Sequence, residues 1–301
     1  MLRIYVHEWQ HKGRRYKESL LDAGCILDDV NPDVVLFDHD LGLDGKHAYR
    51  PELLAFAELG ARVFIYPHAG PPTLLWDGAY LPYPGIRAVF VPAPGHAIIM
   101  STYGYPHPII VAGWSLCELK PLVPRQAVNK VLFAPIHPST HGYLSLEDRA
   151  INADAMTKLM RLGVDITVRY IGELGAFGLR RLPGVHYVQG ALDGSTREID
   201  EADLVVAANT FLYLAVARGV PALSIRENAW PCYDRNGRKR PKNWHEYQSF
   251  MRYPYDVSDY EDLGPIAVHV SALGFVSGWR KMFIGEAFDA ERVLASLREN
   301  Q

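Results

Sequence analysis

The segment ADLVVAANTFLYLAVARGVP, residues 202–221, decides how the fold of the chain is interpreted. It contains an apolar run, an Asn-Thr pair, an apolar stretch of helical length and then Gly-Val-Pro. This order predicts a buried strand, a helix that begins at the end of that strand, and a tight turn into a further strand. The strand leads directly into Asn209 and Thr210, which therefore lie where open parallel sheets bind their ligands.

The same alternation of short apolar runs and helical segments extends in both directions from this segment. Near-continuous apolar runs are typical of parallel strands that are covered by helices on both faces. In the first half, strands are predicted at 2–6, 33–38, 61–68, 87–93 and 108–114, with helices at 14–24 and 50–60. In the second half, strands are predicted at 130–135, 165–172, 185–190, 203–208 and 221–225, with a long helix at 146–163. The fold class is therefore predicted as α/β, with two Rossmann-like, doubly wound domains.

Changes in composition mark the boundaries of the two domains. The segment 115–129 carries prolines and charges that interrupt the alternation, as is typical of a linker. We predict a first domain at 1–118, a linker at 119–129, a second domain at 130–270 and a helical segment at 271–301 that packs across both. The length of 301 residues fits two domains of about 150 residues each.

The bulk composition excludes several functional classes. The formal net charge of −3 gives no global positive field for nucleic acid or membranes. No stretch reaches the ~20 apolar residues that a membrane span needs, and the N-terminus lacks the apolar core of a signal peptide. Cys25, Cys117 and Cys232 are far apart, so they form neither a disulfide framework nor a paired metal site. We predict a cytoplasmic protein without a membrane span.

The residues that follow the strands of the second domain suit an anion. A helix N-terminus offers N–H groups and a partial positive charge, to which Asn209 and Thr210 add an amide and a hydroxyl. His137 follows a neighbouring strand and is placed to contact the same anion, although the segment has no glycine-rich phosphate loop. The alternatives are a plain N-cap role for the Asn-Thr pair and a structural or solvated His137.

Two motifs in the second half resemble those of a known family. The first motif is VLFAPIHP, residues 131–138, in which an apolar run is followed by a proline and a polar loop. The second is IDEADLVVAANTFLYLAVARGVPALSI, residues 199–225. It contains acidic residues before a strand, then a pair of polar residues with a hydroxyl, a helix, Gly-x-Pro and a further strand. Both are similar to the second domain of the GT-B class of nucleotide-sugar glycosyltransferases. That class shares its plan with the UDP-N-acetylglucosamine 2-epimerases and resembles the CDP-glycerol glycerophosphotransferases. The resemblance implies two domains that face a central cleft.

The resemblance also implies a donor site in the second domain. Asn209 and Thr210 would hold the diphosphate or sugar, His137 would face the phosphates, and residues 189–192 would lie against the base. Many members of the class bind ribose with a Glu five residues before the Gly of Gly-x-Pro. That position is Leu214 here, so either the adjacent Tyr213 takes part of the contact or the ribose is held differently. The predicted donor-binding residues are His137, Arg169, Gly172, Gln189, Leu192, Asn209, Thr210 and Tyr213.

By the same resemblance, the first domain supplies the acceptor site and the general base of an inverting transfer. A histidine or a carboxylate can remove the acceptor hydroxyl proton near neutral pH. We predict His68 as the base, because a Gly-Pro-Pro turn follows it, with Asp38 and Asp40 as alternatives. His7 also follows a strand, and its structural alternative is a simple surface position. The resemblance implies no metal ion and no cofactor besides the nucleotide sugar.

A basic and aromatic segment suggests the acceptor. Basic side chains interleaved with aromatic ones suit a polyanion such as modified DNA or a phosphorylated polymer. The residues assigned to this role are Arg238, Arg240, Trp244 and Tyr247. A solvated loop and a clamp on the donor diphosphate are the alternatives.

These observations predict an inverting glycosyltransferase that moves a sugar from a nucleotide-diphosphate sugar to an acceptor hydroxyl. The alternatives are a nucleotide-sugar 2-epimerase-like enzyme and a non-catalytic module that binds nucleotides or nucleic acid.

Overall fold

The computed structural model describes most of the chain as two compact units, each built on one parallel sheet. Among the described residues, the first unit contains 1–114 and 281–299, and the second contains 118–225, 253–263 and 274–280. This architecture confirms the predicted α/β class with two Rossmann-like domains. The described residues are 1–7, 14–37, 55–66, 86–102, 105, 107–114, 118–122, 125, 127–136, 144–190, 196–225, 253, 255–263 and 274–299, with backbone alone at 99, 209–210 and 274–276.

The first unit is built on six parallel strands. They are β1 (Arg3–Val6), β2 (Ile26–Leu27), β3 (Val34–Phe37), β4 (Arg62–Ile65), β5 (Ile86–Val91) and β6 (Ile109–Val111). Their order in the sheet is β2-β1-β3-β4-β5-β6, so the direction of winding reverses between β1 and β3. The predicted strands match five of these, whereas β2 has only two residues and gives no apolar run.

Helices cover both faces of this first sheet. They are α1 (Arg14–Asp22), a helical turn at 55–58, α2 (Pro94–Thr102) and α7 (Ala290–Glu299). Because side chains alternate along a strand, Val34 and Leu36 join one core with α1 and α7, while Val35 and Phe37 join the core on the other face. The last helix therefore belongs to the core of the first unit.

The second unit is built on five parallel strands. They are β7 (Lys130–Ala134), β8 (Asp165–Tyr170), β9 (Val185–Gln189), β10 (Leu204–Ala207) and β11 (Ala222–Ser224). The order is β11-β10-β7-β8-β9, so the winding reverses between β7 and β10. The helices are α3 (Leu146–Met160), α4 (Arg197–Glu201), α5 (Asn209–Ala217) and the 3-10 helices Leu174–Phe177 and Val257–Asp259. Helix α6 (Gly274–Phe283) belongs to this unit up to residue 280, and its last three residues belong to the first unit.

The Gly-Val-Pro turn after α5 is packed against the start of the predicted linker. Gly219 has φ +74, and a Cβ built on it would lie 2.0 Å from the carbonyl oxygen of Pro121. The amide of Lys120 donates to the carbonyl of Ala217 at 3.0 Å, and Arg218 forms ion pairs with Asp200 and Glu118. Residues 118–121 are therefore fixed to the second unit, and the turn requires glycine for its conformation and for this close approach.

Gly95 and His96 hold the C-terminal segment within the first unit. A Cβ built on Gly95 would lie 2.6 Å from the carbonyl oxygen of Met282. The ring of His96 is fully buried, and its Nε2 lies 2.8 Å from the carbonyl oxygen of Phe283, so this nitrogen carries the proton. Burial lowers the pKa of His96 to about 4, against the smaller opposing effect of that hydrogen bond.

We expect Gly219→Ala to destabilise the protein more than a matched glycine substitution. The control is Gly184→Ala, since Gly184 has φ +76 and nothing within 4 Å of a built Cβ. The control should lower the free energy of unfolding by about 1–2 kcal/mol through backbone strain alone. Gly219→Ala should cost a further ~1–3 kcal/mol, because the Pro121 carbonyl must move. Urea unfolding followed by circular dichroism measures both, and equal losses would contradict the packing role of Gly219.

We expect His96 to make the protein acid-sensitive. Its folded pKa, about 4, lies below the ordinary value of 6.5, so its stabilising contribution is complete above 6.5 and is lost as the pH falls toward 4. A shift of this size corresponds to about 3 kcal/mol. His96→Gln, whose amide can still donate to Phe283, should reduce the slope of unfolding free energy against pH in this window. The exposed His186→Gln is the control, and an unchanged slope in His96→Gln would refute the assignment.

Candidate functional site

The candidate site lies at the carboxyl edge of the second sheet, where the strand order reverses. Strands β7 and β10 are neighbours there, with Ala134 paired with Ala207 at their ends. Beyond these residues, β7 continues into Pro135 and Ile136, and β10 continues through Ala208 into α5. The crevice at such a reversal is where doubly wound sheets bind their ligands. The opening sequence motif therefore lies at the topologically favoured position.

The start of α5 differs from the sequence expectation. Ala208 occupies the N-cap position, with φ −108 and ψ 158, and Asn209 is the first helical residue. The plain N-cap alternative for the Asn-Thr pair is therefore wrong, because both residues lie inside the first turn. Alanine is a poor N-cap, since it has no side-chain acceptor for the amides of that turn. The helix thus begins at the strand reversal without a cap from its N-cap residue.

Asn152 fixes the end of β7, a role that was not predicted from the sequence. It is fully buried in α3, where its Oδ1 accepts from the amide of Ile136 at 2.8 Å. Its Nδ2 donates to the carbonyl of Ile136 at 3.3 Å and to that of Phe177 at 3.1 Å. Asn152 thereby joins the residue before His137 to the 3-10 helix after β8. The signal was present in the sequence, because Asn152 lies on the stripe of buried residues that continues with Ala155, Met156 and Leu159.

Arg169 lies at this edge, but its side chain is held by protein groups. The side chain is 3% exposed, and its Nη1 donates to Glu198 Oε2 at 2.7 Å. The guanidinium carbon lies 4.9 Å from the centroid of the Phe211 ring, in the first turn of α5. Its predicted direct contact with a donor stays a prediction.

Gly172 and Gln189 are brought together, as their assignment to one donor site requires. The Nε2 of Gln189 donates to the carbonyl of Gly172 at 3.2 Å. Gly172 has φ +84 and open space around a built Cβ, so the loop after β8 is exposed at this point. The amide of Gly190 donates to the carbonyl of Tyr170 at 2.8 Å, which extends the ladder past the end of β9. The two loops therefore form one surface beside the strand reversal.

Tyr213 lies in an aromatic stack within the second unit. It is 2% exposed, and its ring is parallel to that of Trp279, with the centroids 5.5 Å apart. Tyr253 meets Trp279 edge-on at 5.0 Å. Leu214, at the position of the expected ribose-binding Glu, is also buried. The ribose contact of Tyr213, or another way of holding the ribose, stays a prediction. The pairing of Tyr213 with Trp279 was not predictable from the local sequence.

The first sheet has its own reversal, and His7 lies there. The amide of His7 donates to the carbonyl of Leu36 in β3 at 2.9 Å. The hydroxyl of Tyr66 donates to the carbonyl of His7 at 2.8 Å. The ring is 6% exposed and is stacked on Phe37, with the centroids 4.3 Å apart. The alternative of a simple surface position for His7 is therefore wrong. Its place directly after the first strand was the available signal.

Several predicted site residues lie outside the described part of the chain and stay predictions. They are the catalytic candidates His68, Asp38 and Asp40, the donor residues His137 and Leu192, the side chains of Asn209 and Thr210, and the acceptor residues Arg238, Arg240, Trp244 and Tyr247. Within the described ranges, no three His, Cys, Asp or Glu residues group as a metal site, and no helix is long and apolar enough to cross a membrane. The metal-free reaction and the cytoplasmic location also stay predictions.

Comparison with known proteins gives structural matches alone. No family model matches the chain, and no curated protein matches it in sequence. UDP-GlcNAc 2-epimerase from Neisseria meningitidis, bound to UDP-GlcNAc, is similar with a TM-score of 0.51 and 11% identity over 96% of this chain and 81% of that chain. The glycosyltransferase SnogD from Streptomyces nogalater has a TM-score of 0.50 and 12% identity over 100% and 99% of the two chains.

A third structure extends the range of proteins with this architecture. The wall teichoic acid polymerase TagF has a TM-score of 0.50 and 9% identity over 99% of this chain and 88% of its own. The chain spans 57% of the length of a further match, a TarM mutant of S. aureus. At these identities the similarity establishes the fold alone, which has the two Rossmann-like domains of the GT-B class. It confirms the resemblance seen in the sequence motifs.

Proposed function

We propose that this protein is a glycosyltransferase that moves a sugar from a nucleotide-diphosphate sugar to an acceptor hydroxyl. One observation carries the proposal. Helix α5 begins directly after β10 at the strand reversal, and its N-cap residue is an alanine. The first-turn amides are thus directed to the edge where ligands bind, without a side chain of Ala208 to satisfy them.

A diphosphate is the ligand that suits this helix start best. The N-terminus of a helix carries a partial positive charge of roughly +0.5, and its N–H groups donate to phosphate oxygens. We assign the diphosphate to this turn, with Asn209, Thr210 and His137 as further donors. Gly172 follows β8, and Gln189 is the last residue of β9. We assign the nucleotide base to the surface that these two residues form.

The reaction that follows is a displacement at the anomeric carbon. The acceptor oxygen attacks this carbon and loses its proton to a general base, while the bond to the diphosphate oxygen breaks and the nucleoside diphosphate leaves. Amides at the start of α5 would stabilise the negative charge that develops on the leaving group. We propose an inverting outcome, because a single displacement needs only this one base.

His68 remains our first candidate for the base, with Asp38 and Asp40 as the alternatives. The position of His7 at the reversal of the first sheet supports it as a further candidate. An anionic acceptor is part of the proposal and rests on Arg238, Arg240, Trp244 and Tyr247.

A second candidate function is a nucleotide-sugar 2-epimerase. The observation in its favour is the structural similarity to UDP-GlcNAc 2-epimerase, with a TM-score of 0.51. In this case the same helix start holds the diphosphate of the substrate, and no acceptor is involved. Incubation with UDP-GlcNAc alone separates the two candidates, because an epimerised sugar without acceptor favours the epimerase. Nucleoside diphosphate release that depends on an acceptor favours the transferase.

We expect a charge at position 208 to interfere with nucleoside diphosphate binding. Ala208→Asp and Ala208→Asn both supply a side-chain N-cap, so both should stabilise α5 by about 0.5–2 kcal/mol. Only the carboxylate repels a diphosphate, and we expect it to raise the Kd about tenfold relative to the neutral Asn variant. Thermal-shift and calorimetric titrations with UDP, CDP, dTDP, GDP and ADP measure the difference. Equal affinities in both variants would place the diphosphate elsewhere, and no binding to the wild-type protein would refute the proposed function.

A further inference from the structure

A buried arginine in β8 contacts the segments that follow two other strands of the second sheet, β9 and β10. Arg169 lies near the end of β8, and its side chain is 3% exposed. Its Nη1 donates to Glu198 Oε2 at 2.7 Å, and its guanidinium carbon lies 4.9 Å from the centroid of the Phe211 ring. Glu198 lies in the first turn of α4, and Phe211 lies in the first turn of α5. One side chain thus contacts the starts of two consecutive helices.

The same guanidinium is packed against the loop that follows β9. A Cβ built on Gly190 would lie 2.6 Å from Nε and 3.2 Å from Nη2 of Arg169. The amide of Gly190 is held by the carbonyl of Tyr170, the residue after Arg169, at 2.8 Å. A side chain at position 190 would therefore collide with the guanidinium while the main chain cannot easily retreat. The guanidinium of Arg169 occupies the space that a side chain at position 190 would need.

Arginine is suited to these three contacts because its charge is spread over a rigid plane. The edge of the plane pairs with a carboxylate while a face lies on an aromatic ring. Lysine has a compact ammonium group and cannot make both contacts at once. The Glu198 side chain is 22% exposed, so the pair is mostly removed from water. A mostly desolvated pair holds its geometry, because separating the two charges leaves each without compensation.

We propose that Arg169 is a positioning residue that sets the spacing between the first turn of α5 and the loop beginning at Gly190. This inference rests on the proposed function, in which the α5 turn holds the diphosphate and the surface formed by Gly172 and Gln189, directly before Gly190, holds the base. Arg169 then determines nucleoside diphosphate affinity through Phe211 and Gly190 rather than by touching the ligand. Gly190 and Phe211 both contact the Arg169 side chain and therefore take part in the same positioning role.

The test separates a positioning role from a structural one by removing both charges. Arg169→Met should lower the Tm, because it leaves the Glu198 carboxylate without its partner. It should also raise the Kd about tenfold for the best-binding diphosphate among UDP, CDP, dTDP, GDP and ADP. Adding Glu198→Gln should recover the Tm but leave the Kd raised. The matched control on the same helix is the pair Arg197→Met with Glu201→Gln, whose side chains are 81% and 57% exposed. It should change neither quantity.

The outcomes are distinguishable. If the wild-type protein binds none of these diphosphates, the proposed function fails and this inference fails with it. If the wild-type protein binds one of them and the double variant, with its Tm recovered, binds it equally well, the inference is overturned while the proposed function stands. If the double variant does not recover its Tm, Phe211→Leu decides, because it keeps the ion pair and removes the ring contact. A raised Kd in Phe211→Leu supports the positioning role, and an unchanged Kd overturns it.

Discussion

The parallel pairing of β7 with β10 is the constraint on which the second unit depends. Because every strand of this sheet runs the same way, all of the carboxyl ends meet at one edge. The chain builds β8 and β9 on one side of β7 and then returns to build β10 and β11 on the other. The chain therefore leaves β7 and β10 toward opposite sides of the sheet, and doubly wound sheets have their ligand crevice at such a reversal. The position of the candidate site follows from this topology before any side chain is considered.

Polar groups buried near this edge give the site its shape. Asn152 satisfies three backbone groups around the ends of β7 and of the 3-10 helix after β8. Arg169 connects the loop after β9 with the starts of α4 and α5. Buried polar groups are costly unless each is satisfied, so these two side chains allow few alternative loop conformations. A rigid site binds a diphosphate more tightly, because binding then requires little free energy for ordering the loops.

Much of the fold could be predicted from the sequence because its signals are local. The runs that became β7 and β10 each contain four consecutive apolar residues, β8 alternates apolar and polar residues, and glycines follow the neighbouring helices. Contacts between distant segments were not predictable in this way. The packing of Gly219 against Pro121 and the stacking of Tyr213 on Trp279 join residues far apart in sequence, and no local pattern encodes them. Gly219 could therefore be predicted as a turn residue, whereas its contact with Pro121 could not.

The candidate site was predictable in position but less so in the role of each residue. Asn209 and Thr210 were placed correctly at the start of a helix, yet the one-residue difference between N-cap and first turn depends on the backbone of Ala208. The identity of the N-cap residue affects the stability of α5 and so bears on the proposed function. A Ser, Asp or Asn at the N-cap would stabilise α5 by about 1 kcal/mol, and alanine forgoes that contribution. Proteins accept such local losses at functional sites, where a ligand satisfies the groups that the chain leaves open. An alanine N-cap in the crevice of a reversed sheet therefore favours an anionic ligand over a purely structural helix start.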